Sequence, residues 1–327
     1  MHKQLIDPYG RHIEYIRLSV TDQCDLRCSY CLPKGFKDFQ EPDEWLRFDE
    51  VERIIRVFSE LGTRRIRLTG GEPLVRKDVD LLAGRIAALP GIDDLSLSTN
   101  ATRLDKLAVS LKQAGISRIN ASLDTLRPER YKAITGGKLD KTLKGLMAAK
   151  QAGFDPIKIN MVLMKGVNDD EVEDMVEFCI KHNFTLRFIE TMPMGDTGRD
   201  ASLQYVNILD IQKQLAQRYE LIDAVMHGAG PARYMRIANT ELRIGFITPM
   251  SQHFCATCNR LRLSADGTLY MCLGQDHKYE LRPLLRAGIS DDELKQHIIK
   301  AISLKPEKHE FNEKPQQLVR FMSMTGG

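Results

Sequence analysis

Six of the seven cysteines in this chain fall into two groups of three. The first is Cys24-Asp25-Leu26-Arg27-Cys28-Ser29-Tyr30-Cys31, a C-x3-C-x2-C run; the second, Cys255-Ala256-Thr257-Cys258, is completed by Cys272 to give C-x2-C-x13-C. Three thiolates so spaced can hold a 4Fe–4S cube by three of its irons. A cube saturated by four cysteines mainly transfers electrons, whereas an open iron can bind and activate a small molecule. Two open corners point to an enzyme. The alternative for the second group is a Cys3His zinc site formed with His253 or His277. The first group has no fourth Cys or His in its loop, and structural zinc wants four tight ligands. Cys179, near Met175, Val176 and Phe178 in a helical stretch, reads as a buried core thiol.

These groups must be carried by elements, and the chain supplies a repeating set. Short β-like runs alternate with helical patterns at roughly 30-residue intervals, which predicts βα units and a parallel sheet. Strands are expected near 15–20, 65–69, 95–100, 118–123, 157–163 and 186–190, with helices over 49–61, 104–114, 139–151 and 170–181. Six units are two short of a closed (β/α)8 barrel. The expected fold is α/β, an incomplete (β/α)6 TIM-like barrel over residues 1–196, with an α+β extension over 197–327 carrying the second cysteine group. A doubly wound sheet is the alternative.

The strands alternate where buried parallel strands are usually continuously apolar. Ile16, Leu18 and Val20 oppose Tyr15, Arg17 and Ser19; Ile66 and Leu68 oppose Arg65 and Arg67; Ile157, Ile159 and Met161 oppose Lys158 and Asn160. With helices on the apolar face, the polar face must line the interior. Arg and Lys there would be costly to bury unpaired, which suits a cavity holding large polar ligands. Arg17 or Lys158 taken singly could equally be an ion-pair partner. Farther on, Asp266-Gly267 predicts a tight hairpin that sets Cys272 opposite Leu261, with Arg260 and Arg262 sharing one face.

A net charge of +3 in 327 residues is too small to argue for a nucleic-acid or membrane-surface role, so anion binding must come from placed side chains. No apolar run is long enough to span a bilayer, and the clustered cysteines suit a reducing compartment. The expected location is cytoplasmic.

The C-x3-C-x2-C run after a first strand, together with Gly70-Gly71-Glu72-Pro73 after the second, resembles the radical S-adenosylmethionine (SAM) superfamily. Within it, Cys-Ala-Thr-Cys-Asn-Arg-Leu-Arg, Cys272 and the terminal Gly-Gly are similar to the GTP 3′,8-cyclase family of molybdenum cofactor (molybdopterin) biosynthesis, also called the molybdenum cofactor biosynthesis protein A family. So are Arg17-Leu18-Ser19-Val20-Thr21-Asp22, Lys158-Ile159-Asn160 and Arg187-Phe188-Ile189-Glu190, and the likeness covers essentially the whole chain.

That resemblance implies a lyase with two 4Fe–4S clusters and SAM. Cys24, Cys28 and Cys31 would ligate the SAM-binding cluster, and Cys255, Cys258 and Cys272 an auxiliary one facing the guanine. Tyr30, Gly71, Ser122 and Met192 would line the SAM site, although Tyr30 also fits simple core packing. Arg17, Arg67, Thr99, Lys158, Arg260, Leu261 and Arg262 would contact GTP; Arg17, Arg260, Arg262, Gly326 and Gly327 would serve catalysis. The implied reaction uses a 5′-deoxyadenosyl radical to take hydrogen from ribose C3′, which then attacks C8 to give (8S)-3′,8-cyclo-7,8-dihydroguanosine 5′-triphosphate. The implied partners are GTP, an external electron donor and transiently the next pathway enzyme, cyclic pyranopterin monophosphate synthase, for a monomer or homodimer without nucleic acid or membrane. A radical SAM peptide maturase is the rival reading among enzymes. On its own, the terminal Gly-Gly also reads as a frayed end or a carrier-protein tail.

Overall fold

The computed structural model describes residues 4–226, 230–313, 316 and 318–326. The alternating segments form six parallel strands: β1 (Tyr15–Ser19), β2 (Arg65–Thr69), β3 (Asp94–Thr99), β4 (Arg118–Ser122), β5 (Ile157–Val162) and β6 (Thr185–Ile189). They pair in sequence order. Helices α1 (Phe48–Glu60), α2 (Val79–Ala87), α3 (Leu104–Gln113), α4 (Pro128–Thr135), α5 (Leu139–Gln151) and α6 (Val172–His182) run between them. The outward set packs under these helices: Ile16, Leu18, Ile66, Leu68, Ile119 and Ile159 are fully buried in one continuous core. Cys179 belongs to that core, where burial pushes its thiol up. This is the open α/β barrel that the alternation predicted.

The later chain adds α7 (Gly195–Ser202), α8 (Ile208–Arg218), β7 (Leu221–Ala224), β8 (Arg233–Ile237), β9 (Arg243–Ile247), β10 (Arg260–Leu263), β11 (Thr268–Tyr270) and β12 (Lys278–Glu280). Helices α9 (Arg282–Arg286), α10 (Asp291–Ile302) and α11 (Met322–Thr325) follow. Ser290 and Glu293 form a reciprocal capping box at the start of α10. These strands join the barrel sheet instead of standing apart: β9 pairs parallel with β6, and β10 parallel with β1. The sheet order is β12-β11-β10-β1-β2-β3-β4-β5-β6-β9-β8-β7, so the wall stays open between β9 and β10. No described helix is long and apolar enough to cross a membrane.

The hairpin register differs from expectation by one residue. Ser264 still pairs with Thr268, leaving a three-residue loop that ends at Gly267 with φ of 83°. A left-handed glycine closing such a loop is a common hairpin solution. Arg262 therefore faces Tyr270, and continuing that register sets Cys272 opposite Arg260, not Leu261.

Candidate functional site

The inward faces of the strands assemble a wall of cations. Parallel pairing places Arg262 beside Arg17 and Arg17 beside Arg67. Around the arc, Asn120 lies beside Lys158, and Asn160 beside Arg187. Arg67, Lys158 and Arg187 are buried. Arg187 reaches across to Asn120 Oδ1 at 2.5 Å, and Gly245 on β9 leaves the room it needs, since a Cβ there would lie 2.9 Å from Arg187 Cγ. Asp94 is taken by Arg118 at 2.5 Å. Among the described residues, Arg17, Arg67, Lys158, Arg187 and Arg262 have no ion-pair partner.

That crowding has electrostatic consequences. Burial first, and then neighbouring guanidiniums, lower Lys158 to about 7, Arg262 to about 9 and Arg187 to about 10. Arg17 and Arg67 are lowered for the same reasons. Arg17 Nε, Arg187 Nε, Asn160 Oδ1 and the Tyr15 hydroxyl are buried without a hydrogen-bond partner. Unpaired polar atoms and uncompensated cations are each expensive in a protein interior. A ligand bearing several negative charges and both donors and acceptors would offset these costs together. A nucleoside triphosphate has that chemistry.

The first cysteine group occupies the loop after β1. Arg27 ties this loop down, donating to the carbonyls of Cys24 (2.6 Å), Leu26 (2.8 Å) and Phe36 (3.1 Å). The Arg27 and Ser29 amides bond Thr135 and Ile134 of α4. Gly70 and Gly71 lie against the strand-to-loop junction: a Cβ on Gly71 would come within 2.3 Å of Gln23 O. Only glycine permits that approach. Glu72 crosses to β3, accepting from Thr99 Oγ1 at 2.7 Å and Asn100 N at 2.6 Å, and burial pushes its carboxyl to about 7. The Thr99 hydroxyl is thus committed to Glu72. Tyr30 donates to Asp124 at 2.7 Å, which fixes its ring at the loop edge, and burial raises Asp124 to about 6. Ser122 shares the inward face with Asn160, and Met192 packs beside Met194 and Phe311.

The second group sits at the mouth of the same barrel, because β10 abuts β1. Arg11, paired with Asp7 at 2.5 Å, donates to Cys255 O at 2.8 Å. Arg320 holds the Cys272 turn through the carbonyls of Cys272, Leu273 and Gln275. Buried Lys305 donates to Arg260 O (3.0 Å) and Met271 O (2.8 Å), with Cys258 Sγ at 3.9 Å. Burial pushes the Cys258 thiol up, but Arg260 and Lys305 outweigh it and hold it at about 7. Burial raises Cys272 in the same group, and the first group's thiols as well, Cys31 to about 11. The Leu261 side chain is buried in the outer core, leaving its main chain for the chamber.

The C-terminal segment spans the two groups. Phe321 packs on Phe36 of the first loop at 5.3 Å, and the Ser323 amide faces Cys31. Arg262 donates to the carbonyls of Thr325 and Gly326. Gly326 has φ of 80°, and a Cβ there would come 2.2 Å from Thr69 Cγ2. Gly327 lies outside the described residues.

Both groups suit a cluster better than zinc. Among the described residues, no three His, Cys, Asp or Glu side chains converge on a single metal ion, whereas a cube takes each thiolate on a different iron. His253 bonds His309 at 3.1 Å, and His277 bonds Gln275. Each of these hydrogen bonds engages the Nδ1 of His253 or His277.

The sequence reading did not single out Arg187, Lys305, Arg11 or Arg320 as functional. Arg187 was accessible through strand alternation; the other three carry no local signal.

Residues 18–179 match the Radical SAM superfamily model, and residues 184–311 match the Molybdenum Cofactor Synthesis C model. A Pseudomonas aeruginosa protein named GTP 3′,8-cyclase 1 is 47% identical over 326 residues, covering 98% of this chain and 99% of that one. The chain belongs to the GTP 3′,8-cyclase family. The Hydrogenovibrio crunogenus GTP 3′,8-cyclase is 46% identical, covering 99% of each chain. In structure, Streptococcus suis SuiB bound to S-adenosylmethionine superposes with a TM-score of 0.61 at 17% identity, over 91% of this chain and 73% of that one. That likeness shares the fold. As a GTP 3′,8-cyclase family member the chain is a radical SAM enzyme, whose class carries a 4Fe–4S cluster and SAM. Cys24, Cys28 and Cys31 are free, partly buried thiols in the loop after β1.

Proposed function

We propose that this chain converts GTP to (8S)-3′,8-cyclo-7,8-dihydroguanosine 5′-triphosphate, the first step of molybdenum cofactor biosynthesis. The observation that carries this reading is the set of inward cations Arg262, Arg17 and Arg67, side by side on β10, β1 and β2, with Lys158 and Arg187 farther round the arc, none of them with an ion-pair partner among the described residues. When bound, a cluster at Cys24, Cys28 and Cys31 with SAM supplies a carbon-centred radical by one-electron reduction. The protein's part is positioning and electrostatics. The guanidinium forks of Arg17 and Arg67 suit bidentate phosphate contacts. Tyr30, Gly71, Ser122 and Met192 line the SAM side, and Gly71 allows main-chain approach. Arg260 and Arg262 sit beside the second group, and the Gly326 tail closes the mouth against water.

In this reading Cys255, Cys258 and Cys272 hold an auxiliary 4Fe–4S cluster whose open iron takes the guanine. Residues 1–196 then serve SAM and 197–327 the auxiliary site. The same reading has a cytoplasmic location, an external electron donor and transfer of product to cyclic pyranopterin monophosphate synthase. The test is incubation of anaerobically reconstituted protein with SAM, dithionite and GTP, followed by mass spectrometry. The cyclised nucleotide is expected alongside 5′-deoxyadenosine. Deoxyadenosine without a GTP-derived product would reject the substrate while leaving the radical chemistry in place.

A further inference from the structure

Four cations surround the second cysteine group, and they differ in what balances them. Arg11 is paired with Asp7, and Arg320 with Asp276. Arg260 lies over the Phe254 ring at 5.1 Å, on the inward face of its strand. Lys305 is 3% exposed and, among the described residues, has no carboxylate partner. Its ammonium has three donors, and all three are directed: one to each of β10 and the residue after β11 through Arg260 O and Met271 O, and one to Cys258 Sγ. A buried, unpaired ammonium normally costs several kcal/mol. It persists where an anion sits against it, and here that anion is the cysteine group itself.

We infer that Lys305 is the buried countercharge of the auxiliary cluster, a positioning residue that favours the cluster's assembly and raises its reduction potential. This rests on the auxiliary-cluster reading above. Net charge and hydrogen bonds to sulfur are the levers by which a protein sets an iron–sulfur potential. One-electron reduction adds a negative charge beside Lys305, so the ammonium favours the reduced state. The first group has a cation against its main chain too, Arg27 on Cys24 O, as Arg11 is on Cys255 O, but among the described residues no ammonium is directed at a first-group sulfur as Lys305 is at Cys258 Sγ. The two clusters would thus differ in potential through side chains the protein itself provides.

The test compares holo wild type with Lys305→Met, which keeps length and removes charge. In EPR-monitored redox titrations with dithionite, the auxiliary midpoint of Lys305→Met should shift to lower potential while the SAM-cluster midpoint stays put. Melting the iron-free and iron-loaded forms adds a second readout. The Tm gain on loading should shrink in Lys305→Met, with the iron-free Tm not reduced. An unchanged auxiliary midpoint would overturn the inference. So would an iron-free Tm that falls as far as the loaded one, since lost carbonyl bonds would then explain everything. If Lys305→Met fails to load the second cluster, an iron-free Tm equal to wild type supports the charge role and a lowered one overturns it. A wild-type protein binding roughly four irons, where two cubes require roughly eight, would instead sink the auxiliary-cluster reading itself.

Discussion

Arg17 and Arg262 stand side by side on β1 and β10, in register across a parallel strand pair that joins the start of the barrel to the late hairpin. Burial and then Arg262 lower the Arg17 guanidinium, and its Nε has no partner. Among the described residues neither guanidinium has an ion-pair partner, and Arg262 donates only to the neutral carbonyls of Thr325 and Gly326, so a bound anion would relieve the repulsion between the two. Arg17→Met should therefore weaken GTP binding about tenfold to a hundredfold, matching the ~1.5–3 kcal/mol of a hydrogen bond to a charged group. The Tm of the GTP-free protein should hold or rise. Calorimetric binding with melting curves checks both, and a lower Tm with unchanged affinity would contradict the assignment.

The C-terminal segment yields a steric prediction. Gly326 has a left-handed backbone and no space for a Cβ beside Thr69. Gly326→Ala should displace the Thr325 and Gly326 carbonyls from Arg262 and lower cyclised product by tenfold or more, at unchanged iron content. The ratio of 5′-deoxyadenosine to cyclised nucleotide is the readout. An unchanged ratio would remove the tail from the active site.

Lys158 makes GTP binding pH-dependent. Burial, then Arg187, Arg118 and Arg67, lower it to about 7, while Asp94 acts in the opposite sense. At pH 8 it is mostly neutral in the free protein, and a bound triphosphate would raise it and draw in a proton. Affinity should therefore fall as pH rises above about 7. Titration calorimetry at pH 8 in buffers of different ionisation enthalpy should report proton uptake that Lys158→Met reduces. Buffer-independent heats in the wild type would contradict it.

Much of this site was legible because alternation is local. The pattern Ile16-Arg17-Leu18 or Ile157-Lys158-Ile159 fixes which side chains turn inward once one face is buried. The pairing of β10 with β1 was not legible, since nothing near Arg260 names its distant neighbour. Cys272 slipped by one residue because the loop length, set by Gly267, determines register, and Asp-Gly alone does not decide between two and three residues. Thr99 shows a further gap: an inward hydroxyl can be claimed by a neighbouring carboxylate, here Glu72, before any ligand arrives. Lys305, alone in an irregular segment, gains meaning only from the two strands it touches.

The most direct measurement concerns the division of labour between the two cysteine groups over one cation-lined chamber. Cys28→Ala and Cys258→Ala should be reconstituted anaerobically and incubated with SAM, dithionite and GTP, with deoxyadenosine and cyclised nucleotide quantified together. Cys28→Ala should give neither, and Cys258→Ala should give deoxyadenosine with no cyclised nucleotide. Cyclisation persisting in Cys258→Ala would contradict a shared chamber in which the second group holds the substrate.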